Sequence, residues 1–338
     1  AAVAERHRGI GMEVTRSEHP AIRPNPWNGA VRDPVVLERL ARMFGDNYLW
    51  SAGQLELYST CPFAFFVKRV LRLEGRAEAD EQLSGTVRGS IAHDLLEQFY
   101  RETKENLPSF LAGKTLQIFD RIAEHLLAER EASGEWLGLP SLWPTARRSV
   151  CEGVRAYIAW ELEYLDRKTE TPQLIEHAFG FRDPVVIRGR SMKGTRVGLR
   201  ICGRIDRVDS HSDGDQVRHH VLDYKLGRIP KKSGYTDGSV LQGPLYLRVL
   251  EELGLTVDKC RYRSIGSPGK PQNGAEIRVG SDQFEEALLI AFSVPERVRS
   301  GLFEASLAAN AGGWPPYFPG REISRSQAQL ENGNRFDV

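Results

Sequence analysis

The stretch R-I-D-R-V-D-S-H-S-D-G-D-Q-V-R-H-H-V-L-D-Y-K, residues 204–225, decides the fold. It reads as two strands joined by a polar turn. In the first strand Ile201, Gly203, Ile205 and Arg207 face one way and Cys202, Arg204, Asp206 and Val208 the other, because side chains alternate with a period of two. The turn, 210–215, contains Asp-Gly, a strong hairpin signal. The second strand covers 217–225, and Asp223 and Lys225, two apart, share one face of it. Asp206 sits near the end of the incoming strand, so a hairpin can carry it beside Asp223.

Two carboxylates and a lysine gathered on sheet ends suit one kind of chemistry. The carboxylates can hold a hard divalent cation such as Mg²⁺, which takes oxygen ligands and keeps several waters. The carbonyl of Tyr224, between Asp223 and Lys225, is a further candidate ligand. A cation there activates a water and neutralises charge on a phosphodiester, and the lysine orients that water or stabilises the developing charge. The alternative is a surface hairpin with ordinary charges, since D-x-K is a common tripeptide.

Composition bounds the setting. The 338 residues suffice for two domains or one elaborated domain. The net charge is +1, so there is no global basic field and a nucleic-acid surface has to be local. Basic residues do gather around the hairpin: Arg188, Arg190, Lys193, Arg196, Arg200, Arg204, Arg207, Arg228, Lys231 and Lys232. Solvated strand faces are the other reading of that cluster. The four cysteines, Cys61, Cys151, Cys202 and Cys260, form no C-x-x-C pair. That fits a reducing, cytoplasmic setting without a zinc ribbon or a disulfide scaffold. No apolar run is long enough to span a bilayer, and no signal peptide is visible. The chain begins Ala-Ala-Val without an initiator methionine, as a processed chain or a piece of a longer protein does.

Elsewhere the pattern is mostly helical before the hairpin. Residues 1–28 read as an irregular arm, followed by a short helix, 35–44, opened by Asp33-Pro34. Ser51 looks like the N-cap of a helix over 52–58. The aromatics of Cys61-Pro62-Phe63-Ala64-Phe65-Phe66 read as core. A strong helix spans 85–105 with Ile91, Leu95, Leu96 and Phe99 as its buried stripe. His93 lies off the centre of that stripe, and Gly89, one turn earlier on the same face, is expected to admit a close neighbour. Helices over 116–131 and 146–165 follow. A strand over 173–181 places Ile175, His177, Phe179 and Phe181 on one face and Glu176 on the other, solvated one. A helix over 238–253 carries Gln242 and Tyr246 four apart, with Pro244 bending it or sitting near its first turn. Strands over 259–265 and 275–279 and an amphipathic helix over 283–300 complete the pattern.

Five stretches, taken together and in this order, resemble the PD-(D/E)XK nuclease superfamily in its RecB/AddB-like branch. They are S-A-G-Q-L-E-L-Y-S-T-C-P-F-A-F-F, G-S-I-A-H with His93, G-R-I-D-R-V-D with Asp206, L-D-Y-K with Asp223 and Lys225, and L-Q-G-P-L-Y with Gln242 and Tyr246. The resemblance implies an α/β, restriction-endonuclease-like core, a central mixed sheet flanked by helices, with a helical insertion. It implies an N-terminal arm and short helix over 1–50. The AddB-type C-terminal nuclease domain then covers 51–338: a helical part to about 170, a catalytic sheet core to about 300, and a tail. By the same resemblance His93, Asp206 and Asp223 bind metal, Mg²⁺ or Mn²⁺, and Lys225 is the catalytic lysine. Gln242 and Tyr246 shape the site or touch DNA, and Glu176 matches a frequent acidic position. The family cleaves DNA in double-strand-break processing, often on strands fed by a helicase partner or domain.

One departure stands out. Many members of this branch hold an iron–sulfur cluster with a cysteine in the C-P-F segment and three near the C-terminus. Cys61 occupies the first position, but no cysteine follows Cys260, and a Cys₄ site needs all four thiolates. No iron–sulfur cluster is expected, and Trp314, Tyr317 and Phe318 are expected to hold the tail by packing. The competing reading is a catalytically silent DNA-binding or scaffold module of a helicase–nuclease complex. It is less favoured because His93, Asp206, Asp223 and Lys225 are all present. A nucleotide hydrolase is disfavoured because no G-x-x-x-x-G-K-[ST] loop occurs, which leaves any helicase motor to another chain or segment.

Overall fold

The computed structural model describes residues 29–73, 83–103, 112–168, 170–214, 216–227, 229–265 and 273–304. The expected N-terminal arm, Arg228 and the tail aromatics Trp314, Tyr317 and Phe318 lie outside the described residues.

One long strand organises the sheet. β4 (Arg196–Asp213) has 18 residues. Its first part pairs antiparallel with β3 (Val185–Arg190) and parallel with the two-residue β1 (Trp50–Ser51). Its second part pairs antiparallel with both β2 (Thr171–Phe179) and β5 (Gln216–Lys225). β5 then runs parallel to β6 (Val257–Ser264), which pairs antiparallel with β7 (Asn273–Arg278), so the sheet is mixed. The hairpin is tighter than the sequence suggests. The expected turn residues Ser210–Asp213 continue the strand, and pairing persists to Asp213↔Gln216 around Gly214 at φ +63°. Asp206 therefore lies well inside β4 rather than near its end. β3 is a strand that the periodicity did not pick out.

The parallel β5–β6 pair needs a crossover. α7 (Ser233–Asp237) and α8 (Gln242–Glu252) supply it. The helix expected over 238–253 begins only at Gln242, as α8, and the short α7 precedes it, ended at Gly238, whose φ of +77° is left-handed. Pro244 sits in the first turn of α8, where its missing N–H costs no helical hydrogen bond.

Two buried clusters hold the layers together. The larger joins the sheet (Ile201, Ile205, Val208, Val221) to α2 (Ala52–Thr60), α8 and α9 (Asp282–Arg299) through Leu55, Leu245, Leu247 and Phe292. Leu40 and Phe44, from α1 (Pro34–Met43) and its C-cap, belong to the same cluster. The second lies among α4 (Gly85–Thr103), α5 (Ala112–Ala132) and α6 (Trp143–Lys168), where Ile91, Leu95, Phe99, Phe119 and Ile158 meet Tyr224 of β5. Each such fully buried side chain contributes about 1.5–3 kcal/mol of hydrophobic stabilisation.

At the C-P-F segment Cys61 caps α3 (Pro62–Phe65), its Sγ accepting from the Ala64 N–H at 3.4 Å. A π-helical turn over Phe66–Val70 follows. Phe303 packs on Tyr58 and Phe66, and the Tyr58 hydroxyl donates to the Leu302 carbonyl at 2.6 Å. No helix among the described residues is long and apolar enough to cross a membrane.

Candidate metal centre

The site forms where two paired strands part. The β4–β5 ladder ends at Arg207↔Leu222, one pair short of Asp206 and Asp223. Past that point the Tyr224 N–H donates to Asp206 Oδ2 at 2.7 Å, so a side chain stands in for a ladder carbonyl. The opened fork presents both aspartates, 8% and 2% exposed. Asp223 Oδ2 lies 2.6 Å from Lys225 Nζ, yet neither Asp223 oxygen has a well-aligned hydrogen-bond donor among the described residues. Oδ2 has the Lys225 ammonium, but Oδ1 has no hydrogen-bond partner among the described residues; such a buried atom costs about 1–3 kcal/mol, a deficit that a bound cation would remove.

His93 reaches the fork from α4. Its Nδ1 is 3.3 Å from Glu176 Oε1 and 3.6 Å from Asp206 Oδ1, and ligand atoms of the three residues lie within 4.8 Å of one another. Burial disfavours a charged imidazole, but the Glu176 contact and the charges of Asp206, Glu176 and Asp223 outweigh it, raising the His93 pKa to about 9. Asp206 is pushed upward, first by burial and then by the neighbouring Asp223 charge. The imidazole and two carboxylates that lie within ligand spacing are a set that could hold a divalent cation, with Asp223 standing beside them against Lys225.

The family profile described as the PD-(D/E)XK nuclease superfamily matches residues 49–310. The chain belongs to the PD-(D/E)XK nuclease superfamily. It is 32% identical over 241 residues to an ATP-dependent helicase/deoxyribonuclease subunit from Symbiobacterium thermophilum, covering 65% of this chain and 19% of that protein. The protein of the same name from Acetivibrio thermocellus is 29% identical over 233 residues, with the same two coverages. The chain thus spans about a fifth of the length of these curated relatives.

The D-x-K triplet read from the sequence, Asp223-Tyr224-Lys225, stands at the fork. Tyr224 meets the fork through its backbone, while its ring lies in the helical cluster and its hydroxyl accepts from Arg207 Nη1 at 3.2 Å. Lys225 Nζ also donates to Gln242 Oε1 at 3.2 Å. Burial opposes its charge, but Asp223, Asp206 and Glu56 together raise its pKa and keep it an ammonium. Tyr246, one turn along α8 from Gln242, is 6% exposed and packs edge-on to Phe179 at 5.4 Å. Its approach to β4 requires Gly203, where a Cβ would come within 2.9 Å of both Tyr246 Oη and Phe179 Cζ.

Four expectations need correction. Glu176 is not on a solvated face: its side chain is 8% exposed and faces His93. The cause is its φ of +45°, next to an irregularity between Pro172 and Leu174, which breaks the strict alternation. A non-glycine residue there costs about 1–3 kcal/mol and persists where the surroundings enforce it. Arg207 is not surface charge but fully buried, bound to Asp209 at 2.5 and 2.7 Å and to Glu161 at 2.8 Å. Gly89 admits no close neighbour, since a Cβ there would meet nothing within 4 Å. Asp206 lies inside β4, at the fork, not near a strand end, whereas Asp223 and Lys225 do stand in the last three residues of β5.

Two further residues stand near the site: Arg204, read from the sequence only as one of the basic cluster, and Glu56, not marked by the sequence pattern. Arg204, 60% exposed, places Nε 3.9 Å from Glu176 Oε2. Glu56 Oε1 accepts from the Leu241 and Gln242 N–H groups at 2.7 and 2.9 Å. Glu56 stands inside the S-A-G-Q-L-E-L-Y stretch, but its partners lie 185 and 186 residues away, so no local spacing singles it out.

Proposed function

We propose that the chain is a metal-dependent DNA nuclease that hydrolyses phosphodiester bonds at DNA ends during repair or recombination. The observation that carries this reading is the fork itself. Asp206 and Asp223 are buried where the strands part, His93 and Glu176 converge on Asp206, and the Lys225 ammonium stands beside Asp223. In the proposal His93, Asp206 and Asp223 hold the cation, Mg²⁺ or Mn²⁺, with the Tyr224 carbonyl as a further ligand. The cation supplies Lewis acidity at the phosphate and lowers the pKa of a bound water.

The protein's own groups do the rest. His93 turns Nδ1 toward both Glu176 and Asp206, so this nitrogen, once deprotonated, would face the cation, with Glu176 holding the imidazole in place beside it. Lys225, kept protonated, donates to the attacking water or to a non-bridging phosphate oxygen as negative charge grows there. Gln242 holds the ammonium from the other side, and Tyr246 secures α8 against the sheet. Water oxygen forms the new P–O bond as the opposite P–O bond breaks; the water gives up one proton to solvent and the departing oxygen takes one from solvent, leaving one phosphate end and one hydroxyl end. Arg204 offers an exposed guanidinium to the backbone of the bound strand.

The relatives' names join a helicase to a deoxyribonuclease, which supports a helicase partner or domain for this chain. The absence of a phosphate-binding G-x-x-x-x-G-K-[ST] loop in these 338 residues agrees with a motor carried elsewhere. The decisive experiment is incubation of the chain with end-labelled single- and double-stranded DNA plus Mg²⁺, Mn²⁺ or EDTA. Cleavage with at least one ion and none with EDTA is expected. Intact DNA under every metal condition, or cleavage that survives EDTA, overturns the reading.

A further inference from the structure

We infer that Glu56 is a positioning residue for the proposed cleavage, acting on Lys225 through the N-terminus of α8. The inference rests on the nuclease reading above. Glu56 belongs to the S-A-G-Q-L-E-L-Y stretch, to which the proposed mechanism gives no task. That stretch is built to hold Glu56 still. Trp50 and Ser51 pair with Ile201 and Cys202 of β4, which fixes the start of α2 to the sheet. Ser51 and Gln54 then form a reciprocal capping box, Ser51 Oγ accepting from the Gln54 N–H and Gln54 Oε1 from the Ser51 N–H.

From this anchored first turn Glu56 reaches α8. One of its oxygens, Oε1, accepts from the N–H groups of both Leu241 and Gln242. The first amides of a helix have no intrahelical partner, and Leu241 at the cap position provides no side-chain acceptor. Glu56 therefore does from another helix what a local Ser or Asp does elsewhere, and its charge also complements the positive end of α8. The consequence passes on through Gln242. Its backbone is held by Glu56, and its side-chain oxygen accepts from Lys225 Nζ, which stands against Asp223. The sequence of contacts is carboxylate, helix amide, side-chain amide, ammonium. Without Glu56 the first turn of α8 frays, Gln242 loses its fixed position, and Lys225 is held by Asp223 alone. A misplacement of about 1 Å in a reacting group can lower a rate by up to about 10²-fold.

The test is steady-state cleavage of end-labelled DNA by the full chain, comparing wild type, Glu56→Ala, Glu56→Gln, Gln242→Ala and the double variant Glu56→Ala/Gln242→Ala. Glu56→Ala should lower kcat about tenfold or more with KM for DNA within about threefold. Glu56→Gln, whose amide oxygen can accept the same two N–H bonds, should recover kcat to within about threefold of wild type. The double variant should be no slower than the slower single variant, because the two residues act along one line of contacts. Wild-type kcat in Glu56→Ala, a Glu56→Gln variant as slow as Glu56→Ala, or losses that multiply in the double variant each overturn the inference. If Glu56→Ala does not fold, Glu56→Asp, one methylene shorter, carries the same expected loss and the same refutation. A wild-type chain that cuts no DNA refutes the nuclease reading itself. Normal wild-type cleavage with an unaffected Glu56 variant refutes only the role of Glu56.

Discussion

Asp223 carries two buried oxygens, and neither has a well-aligned hydrogen-bond donor among the described residues. Lys225 stands against it at 2.6 Å. In the proposed reaction the two residues have separable tasks: the aspartate holds the cation and the lysine meets the water or phosphate. Asp223→Ala and Asp206→Ala should therefore lower cleavage by about 10³-fold or more while DNA affinity holds or rises, since negative charge near the phosphates is removed. Lys225→Ala should lose cleavage comparably but still bind Mn²⁺, as read by calorimetric titration. Cleavage by Asp223→Ala at the wild-type rate, or loss of Mn²⁺ binding in Lys225→Ala equal to that in Asp223→Ala, contradicts the assignment. At this scale the D-Y-K triplet and the hairpin were legible because they depend on short spacings along the chain. Glu176 was matched to an acidic position by resemblance, but its burial was not legible, because one backbone angle of +45° changes what the alternation rule predicts. Glu56 was not, because its partners arrive from a helix far along the chain.

Arg207 shows how elements, rather than residues, carry the site. Its guanidinium forks onto Asp209 of the same strand, reaches Glu161 of α6 and Tyr224 of β5, and lies 4.3 Å over the ring of Tyr100 of α4. Glu161 also accepts from the hydroxyls of Tyr100 and Tyr157. One buried cation thus joins two helices to two strands, and α4 is the helix that delivers His93. Arg207→Met keeps the volume but leaves Asp209 buried without its partner. Breaking a buried pair from one side costs about 3–5 kcal/mol, so urea denaturation should show a loss of that size. Adding Asp209→Asn to the same chain should restore part of it. A loss under about 1 kcal/mol would mean that solvent reaches Asp209. The hydrophobic stripes of α4 and α9 made those helices legible, since a period of 3.6 is a strong signal over many residues. Short pieces were harder. β3 has six residues, and the break between α7 and α8 depends on the backbone angle of Gly238. Arg207 was misread because strict alternation fails in this part of β4: Ile205 and Val208, three apart, both enter the larger cluster, while Arg207 turns to the helices.

Across the whole molecule the helical layer also meets the sheet through charge. Glu170 stands between α6 and β2, where the chain passes from one layer to the other. Its carboxylate lies 3.4 Å from His220 Nε2 on β5 and 3.3 Å from Arg261 Nη1 on β6, with a side chain only 9% exposed. Burial pushes its pKa up, but the nearby His220 imidazole and the Arg261 guanidinium overcome that, and the group falls to about 2 from an ordinary 4.5. The direction fixes the sign of the linkage. A carboxyl depressed in the folded state contributes stability that is fully present above its unfolded pKa and is lost as pH falls through the folded one. The contribution of the Glu170 carboxylate should therefore fade as pH falls between about 4.5 and 2, amounting to about 2–3 kcal/mol. Other carboxylates titrate in the same window, so the informative quantity is the difference between wild type and Glu170→Gln. Unfolding free energies from urea titrations at pH 7, 5, 4, 3 and 2.5 should place the variant below wild type at pH 7. The two curves should then converge as pH falls, because the variant has no proton to take up at this position. Parallel curves across that range would show that Glu170 is not held ionised by His220 and Arg261, and that the helical layer is secured to the sheet by Arg207 and apolar packing without it.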